Sequence, residues 1–265
     1  MLMNVVSWLK GAFLTVTDTL MATTPHPEPP KDQLRATKII AHRGAHREHR
    51  ENTLPAFLKA VEAGVWGVEF DVRWTKCGQP VVHHDPHCYR VFKDPSQISE
   101  LSLRELRKRL PEIPTLEEVI EAVAGRTHLM IEIKGRAPQL KELHWQSLKE
   151  ALAKLDPVSD YHLMSMDQEI LKSPPIGVNQ AWLPIAELNV ATLSKLAIER
   201  ELGGLTGQYL IVNGQVMERH KGIGQSVGTG FVNSPSVLYR EVSRGVDWIF
   251  SDNAEALVQL IRKEN

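Results

Sequence analysis

The sequence predicts an α/β fold, a TIM (β/α)8 barrel, on three observations. From Lys38 onward, short apolar runs alternate with stretches of helical period, the pattern of parallel strands joined by helices. Eight such runs fall within roughly 230 residues, a size that suits this barrel. One further apolar run comes too soon after its neighbour for a crossover helix, so it is expected to return as a β-hairpin arm.

Taken in order, the elements begin with an amphipathic stretch. Leu2, Val5, Leu9, Phe13, Val16 and Leu20 recur at helical spacing, while Lys10 and Asp18 interrupt the run and make it a poor spanning helix. It reads as a helix lying on a membrane surface, a helix packed on the barrel, or a leader upstream of Met21. The Pro-rich residues 23–32, TTPHPEPPKD, read as a linker, so the expected organisation is an N-terminal segment over 1–32 and a barrel over 33–265. Strands are expected over 38–42, 67–72, 128–133, 161–165, 179–183, 206–212, 226–232 and 246–250. Between them, TLPAFLKAVEAG reads as a helix with Gly64 as its C-terminal stop, and PTLEEVIEAVAG as one that Pro114 and Thr115 open. VEFDVRWTKCGQPVVHHD is the hairpin extension after the second strand, and a short capping insertion comes next, 28 residues long over 86–113.

Bulk charge excludes little but points away from nucleic acid, since 31 Lys and Arg nearly balance 32 Asp and Glu among 265 residues. The two cysteines, Cys77 and Cys88, form no metal or secretory pattern, which favours a reducing, cytoplasmic setting, with peripheral membrane contact through residues 1–22 as an added expectation. No GxxxxGK loop is present, so a nucleoside triphosphate is not indicated.

In a barrel of this kind the chemistry sits at the C-terminal strand ends. The first strand ends in His42-Arg43-Gly44, and the hairpin arm ends in His83-His84-Asp85. Glu69 and Asp71 lie two apart on the second strand and so share a face, and Glu132 and Lys134 repeat that spacing on the next. Carboxylates aimed together into a barrel repel one another unless a cation or a shared proton offsets them. Glu69, Asp71 and Glu132 suit a hard divalent cation, Mg²⁺ or Ca²⁺; alternatively they pair structurally with Arg43, Lys134 or Arg73. Arg43 and Lys134 offer fixed positive charge for phosphate oxygens. His42 and His84 can divide proton transfer, one accepting and one donating. Together these groups point to metal-assisted phosphoryl chemistry.

The ordered motifs HRG, ENTLPAF, VEFDV..T..G.PVVHHD, IPTLEEV, IEIKG and GVDWIFSDN, spread from Ile39 to Asn253, resemble the glycerophosphodiester phosphodiesterase family. The resemblance implies a TIM barrel that hydrolyses glycerophosphodiesters to glycerol 3-phosphate and an alcohol. It implies His42 and His84 as the acid/base pair, Glu69, Asp71 and Glu132 as metal ligands, and Arg43 and Lys134 as phosphate-binding residues. It also implies Glu51 as an acidic residue near the metal or the substrate hydroxyls. Lysophospholipase D activity on the same barrel is an alternative, as is a non-catalytic barrel that binds a phosphodiester. The expected partner is a small glycerophosphodiester or lysophospholipid.

The chain departs from the family pattern in three places. The insertion is short, which predicts an open mouth able to admit bulkier diesters such as lysophospholipids. VGTGFVN stands where the family often has WTVN, placing Gly230 at the Trp position with Phe231 beside it. Residues 170–225 match only loosely, and Trp182 there either lines the pocket or packs in the core. Among the other candidates, His46, His49 and Arg50 read as solvated loop, His83 as a supporting residue, and Asp252 as a helix cap rather than an acid at the barrel mouth.

Overall fold

The strands and helices keep the expected alternation. A computed structural model describes residues 19–263. Its strands are β1 (Lys38–His42), β2 (Gly67–Trp74), β3 (Pro80–Val82), β4 (His128–Ile133), β5 (Tyr161–Ser165), β6 (Trp182–Ala186), β7 (Gly204–Gln208), β8 (Ser226–Gly230) and β9 (Trp248–Ser251). All but β3 run parallel, and β1 pairs with both β9 and β2, which closes an eight-stranded barrel. β3 lies antiparallel on β2, with Val72 opposite Val82 and Trp74 opposite Pro80, as the missing crossover required.

The helices nearest the first strands and the hairpin are α1 (Lys31–Ala36), α2 (Leu54–Ala63), α3 (Tyr89–Phe92), α4 (Leu103–Arg109) and α5 (Leu116–Val123). α2 stops at Gly64, whose φ of 84° is the left-handed conformation that glycine adopts without steric cost, and its amide reaches Ala60 O and Val61 O. α5 starts in a capping box, Thr115 accepting from the Glu118 amide and Glu118 from the Thr115 amide.

Two layers of core arise from strand alternation. Ile39, Ala41, Val68, Phe70, Leu129 and Ile131 face outward and pack under the helices. Ile40, Met130, Met164, Leu183, Trp248 and Phe250 fill the barrel interior. The inward register then continues to His42, Glu69, Asp71 and Glu132. His42 pairs in register with Glu69, and Asp71 with Glu132.

Five strands differ from the expected bounds: β2 runs on to Trp74, β8 stops at Gly230, and β6, β7 and β9 are displaced. Asn179–Ala181 forms a 3-10 turn, and β6 runs through Pro184, whose missing N–H suggests a strand end but whose carbonyl still accepts from Thr206 Oγ1 at 2.9 Å. β7 begins at Gly204 and ends at Gln208, and glycines, poor strand formers, serve close backbone approach at its start: a Cβ on Gly204 would stand 1.9 Å from Ser226 O, and one on Gly203, just before the strand, 2.1 Å from Gln180 O. The last strand is displaced to Trp248–Ser251.

The insertion over 86–113 carries α3, a 3-10 turn at Ile98–Glu100 and α4, around a small core of its own made by Val81, Cys88, Ile98, Leu101, Leu106, Leu110 and Ile113. The Pro-rich stretch is docked rather than loose. α1 begins inside it at Lys31, Leu34 is buried, and Ser236 Oγ donates to Thr24 O. The amphipathic stripe lies outside the described residues except for Leu20, which is exposed. No helix among the described residues is long and apolar enough to cross a membrane.

Candidate active site

Strand ends and the first loops bring the expected groups to one cavity of about 330 Å³ at the C-terminal mouth of the barrel, lined on one side by His42, Arg43, Glu69, His84, Glu132 and Lys134. Glu69, Asp71 and Glu132 each present a carboxylate oxygen, all within 4.8 Å of one another. Two cations pair with them. Lys134 Nζ lies 2.9 Å from Asp71 Oδ1 and donates to Glu132 Oε1 at 2.6 Å, while Arg43 Nε stands 3.4 Å from Asp71 Oδ2. The Arg43 amide donates to Glu69 Oε2 at 3.2 Å, a contact set by its φ of 57° at the strand end. Arg73 takes no part in this cluster and donates to His84 O.

Three carboxylates, Glu69 and Asp71 buried and Glu132 half-buried, against two half-buried cations leave the group with excess negative charge. Burial and repulsion from Asp71 and Glu132 push the Glu69 carboxyl well above its usual range. Burial also raises Glu132, only partly offset by Lys134. For Asp71 burial works the same way, but Lys134 and Arg43 outweigh it and hold the carboxyl below its usual value. A divalent cation would relieve this imbalance, and a set of oxygen donors with no thiolate fits a hard ion.

Both imidazoles are anchored through Nδ1. His42 Nδ1 meets Asp252 Oδ1 at 2.7 Å, and His84 Nδ1 meets Asp85 Oδ1 at 2.6 Å. That leaves Nε2 of each ring for exchange; His42 Nε2 is 3.8 Å from Glu69 Oε2. Burial lowers the pKa of His42, and lowers that of His84 to about 4. The bond from His42 holds Asp252 down at about 2, against the effect of burial. Asp252 is positioned by Asn233, whose Nδ2 donates to Oδ2 at 3.1 Å and whose Oδ1 accepts from the Asp252 amide at 2.8 Å. Asp85 instead accepts from Arg90 Nε at 2.6 Å.

The remaining expected residues take varied places. Glu51 stands outside the carboxylate cluster, its oxygens taken by Arg43 NH1 at 3.0 Å and by Arg90 NH1 and NH2 at 2.7 and 2.6 Å. His46 is not free loop, because its Nδ1 meets His42 O at 2.8 Å and its Nε2 lies 3.6 Å from Asp252 Oδ1. His49 is exposed, while Arg50 pairs with Glu112 and covers the Phe92 ring. His83 is buried, with Nε2 at 3.3 Å from His87 O, and supports the hairpin. Trp182 is core, fully buried with Nε1 donating to Ile176 O at 2.9 Å. Phe231 lines the cavity edge-on to His42, with ring centroids 4.8 Å apart.

Asp252 corrects the expectation of a helix cap: its side chain is committed to His42 and Asn233, and the first turn of the last helix closes on Asn253 O instead. Sequence reasoning also passed over Asn52, which is 2% exposed. Asn52 Nδ2 donates to Asp71 Oδ2 at 2.7 Å, and its φ is 57°. Asparagine tolerates that backbone conformation better than most residues, and this was the available signal in ENT.

Cations beside a cluster of carboxylate oxygens, with two imidazoles in reach, form a donor set suited to phosphoryl chemistry. Comparison with known proteins agrees. The model of the glycerophosphoryl diester phosphodiesterase family matches residues 42–198, and the chain belongs to that family. It is therefore a phosphoric diester hydrolase that acts on glycerophosphodiesters. A glycerophosphodiester phosphodiesterase of Caldanaerobacter subterraneus subsp. tengcongensis is 28% identical over 243 residues, 86% of this chain and 98% of that one. The human glycerophosphodiester phosphodiesterase 1 is 32% identical over 127 residues, 43% of this chain and 38% of its own length. Among solved structures, the glycerophosphodiester phosphodiesterase of Thermotoga maritima superposes with a TM-score of 0.74 at 27% identity, covering 84% of this chain and 98% of that one.

Proposed function

We propose that the protein hydrolyses glycerophosphodiesters to glycerol 3-phosphate and an alcohol with a divalent cation held by Glu69, Asp71 and Glu132. The observation that carries this reading is the clustering of three carboxylates, two cations and two Nδ1-anchored histidines at one cavity mouth. When bound, the cation supplies Lewis-acid polarisation of a phosphoryl oxygen. Arg43 and Lys134 hold the phosphate and stabilise charge that builds on its non-bridging oxygens. Glu51 and Asn52 act indirectly, Glu51 by aiming Arg43 and Asn52 by fixing Asp71. One imidazole accepts a proton at Nε2 from the attacking oxygen, either water or the neighbouring glycerol hydroxyl. The other returns a proton to the departing alkoxide as its P–O bond breaks. When the glycerol hydroxyl attacks, water then opens the cyclic phosphate with the two roles reversed.

The pair is tested by replacement. His42→Ala and His84→Ala are each expected to lower kcat on glycerophosphocholine by roughly 10²- to 10⁴-fold in folded protein. Turnover near wild type in both would overturn the two-imidazole scheme.

A further inference from the structure

The N-terminal end of the barrel, opposite the candidate active site, holds a larger cavity of about 670 Å³. It opens where the strands begin. Lys38, Ser226 and Trp248 start β1, β8 and β9, and Trp66 and Gly203 come just before β2 and β7. None of its described lining residues lines the cavity at the C-terminal mouth. One wall is aromatic: Trp66 stacks on His128 with ring centroids 4.4 Å apart, and Trp248 meets His162 edge-on at 5.1 Å. Ile198, Leu202 and Ile223 add apolar surface. Among the described residues the lining holds one charge of each sign, Lys38 and Glu201, so it favours no net charge on a ligand.

A chain of hydrogen bonds fixes the protons of the two histidines. Ser159 O can only accept, so His128 Nδ1 donates to it at 3.1 Å and His128 Nε2 carries the lone pair. His162 Nδ1 therefore donates to His128 Nε2 at 2.8 Å, which leaves the His162 lone pair on Nε2. Burial keeps both rings neutral, lowering His128 to about 4 and His162 to about 3, so no extra proton reverses the chain. His162 Nε2 has no partner among the described residues, and neither has the buried Trp248 Nε1–H. Both side chains line the cavity, His162 4% and Trp248 3% exposed. A floor built only for packing pairs such atoms, because an unmet buried donor or acceptor costs free energy. The rim is held in shape at a cost too. Val158 has a φ of 72°, an unfavourable conformation for a β-branched residue, and Glu201 one of 52°.

We propose that this cavity binds a neutral, planar N-heterocycle of the nucleobase type, which donates an N–H to His162 Nε2, accepts from Trp248 Nε1 and lies against the aromatic wall. A phosphate or carboxylate has no proton to give His162, and an aliphatic amide leaves the rings uncovered. A flat ring with a donor beside an acceptor on one edge meets both demands, and the volume accommodates a nucleoside. The inference is independent of the diester chemistry at the other end of the barrel.

Calorimetric titration of the full chain with adenosine and with uridine tests it. At least one nucleoside is expected to bind saturably, and glycerol 3-phosphate is expected not to displace it. Blocking the donor, with adenosine dimethylated on its exocyclic amine or uridine methylated on its ring N–H, is expected to weaken binding about tenfold. His162→Phe, which keeps a ring and removes the acceptor, is expected to do the same while glycerophosphocholine turnover stays at the wild-type rate. Failure of both nucleosides to bind at millimolar concentration, equal affinity of the methylated forms, or displacement by glycerol 3-phosphate would overturn the assignment. Because the methylated ligands need no variant, the test stands even where His162→Phe does not fold.

Discussion

His42 and His84 each commit Nδ1 to an aspartate, and this fixes Nε2 as the nitrogen that the proposed mechanism uses. The two aspartates are not equivalent. Asp85 also accepts from the Arg90 guanidinium, whereas Asp252 is steadied by the neutral amide of Asn233. In the proposed mechanism Asp252 is a positioning residue for His42. Asp252→Ala is expected to lower kcat by roughly 10²-fold, with KM for the diester nearly unchanged and the melting temperature kept. A loss expressed mainly in KM would point to a binding role instead. Most of the site was legible because its motifs are local. Glu69 with Asp71, and Glu132 with Lys134, share a face by strand alternation, and His42 and His84 end their strands. Asp252 was not, because it stands 210 residues from His42 in the chain and its position beside a helix start suggested a cap. Asn52 was hidden similarly, since its contact with Asp71 crosses from a loop to a neighbouring strand.

At the scale of elements, the hairpin and the glycine-rich strand shape the site most. The returning β3 arm carries His84 across to the carboxylate side, and the absence of a crossover between it and β2 made it readable from spacing alone. β7 was harder to place because glycines weaken a strand signal, and what they permit is tight backbone approach rather than propensity. The approach at Gly203 makes a direct prediction. A methyl there meets the Gln180 carbonyl, so Gly203→Ala is expected to cost about 2–3 kcal/mol, seen as a lowered midpoint in urea unfolding. A midpoint equal to wild type would show that the β6–β7 connection yields without strain. The Pro-rich stretch 23–32 reads as linker from its composition, and in the fold it runs against the barrel, with Pro29 buried and Thr24 O accepting from Ser236 Oγ.

The whole molecule is a closed barrel whose C-terminal mouth combines opposite surfaces, charge from its first half and hydrocarbon from its second. The charged half had sequence motifs to announce it. The apolar half did not, because Met166, Leu188 and Leu210 come from loops whose side chains converge only when the barrel closes. The charge imbalance of the first half governs the proposed chemistry, since three clustered carboxylates exceed their two cations. It is tested most directly by the rate of glycerol 3-phosphate release from glycerophosphocholine after chelation and stepwise return of Mg²⁺, Ca²⁺ or Mn²⁺. The chelated protein is expected to be inactive, at least one ion to restore turnover saturably, and Glu69→Gln with Asp71→Asn to abolish the restoration. Full activity in the presence of EDTA would contradict a metal-dependent site.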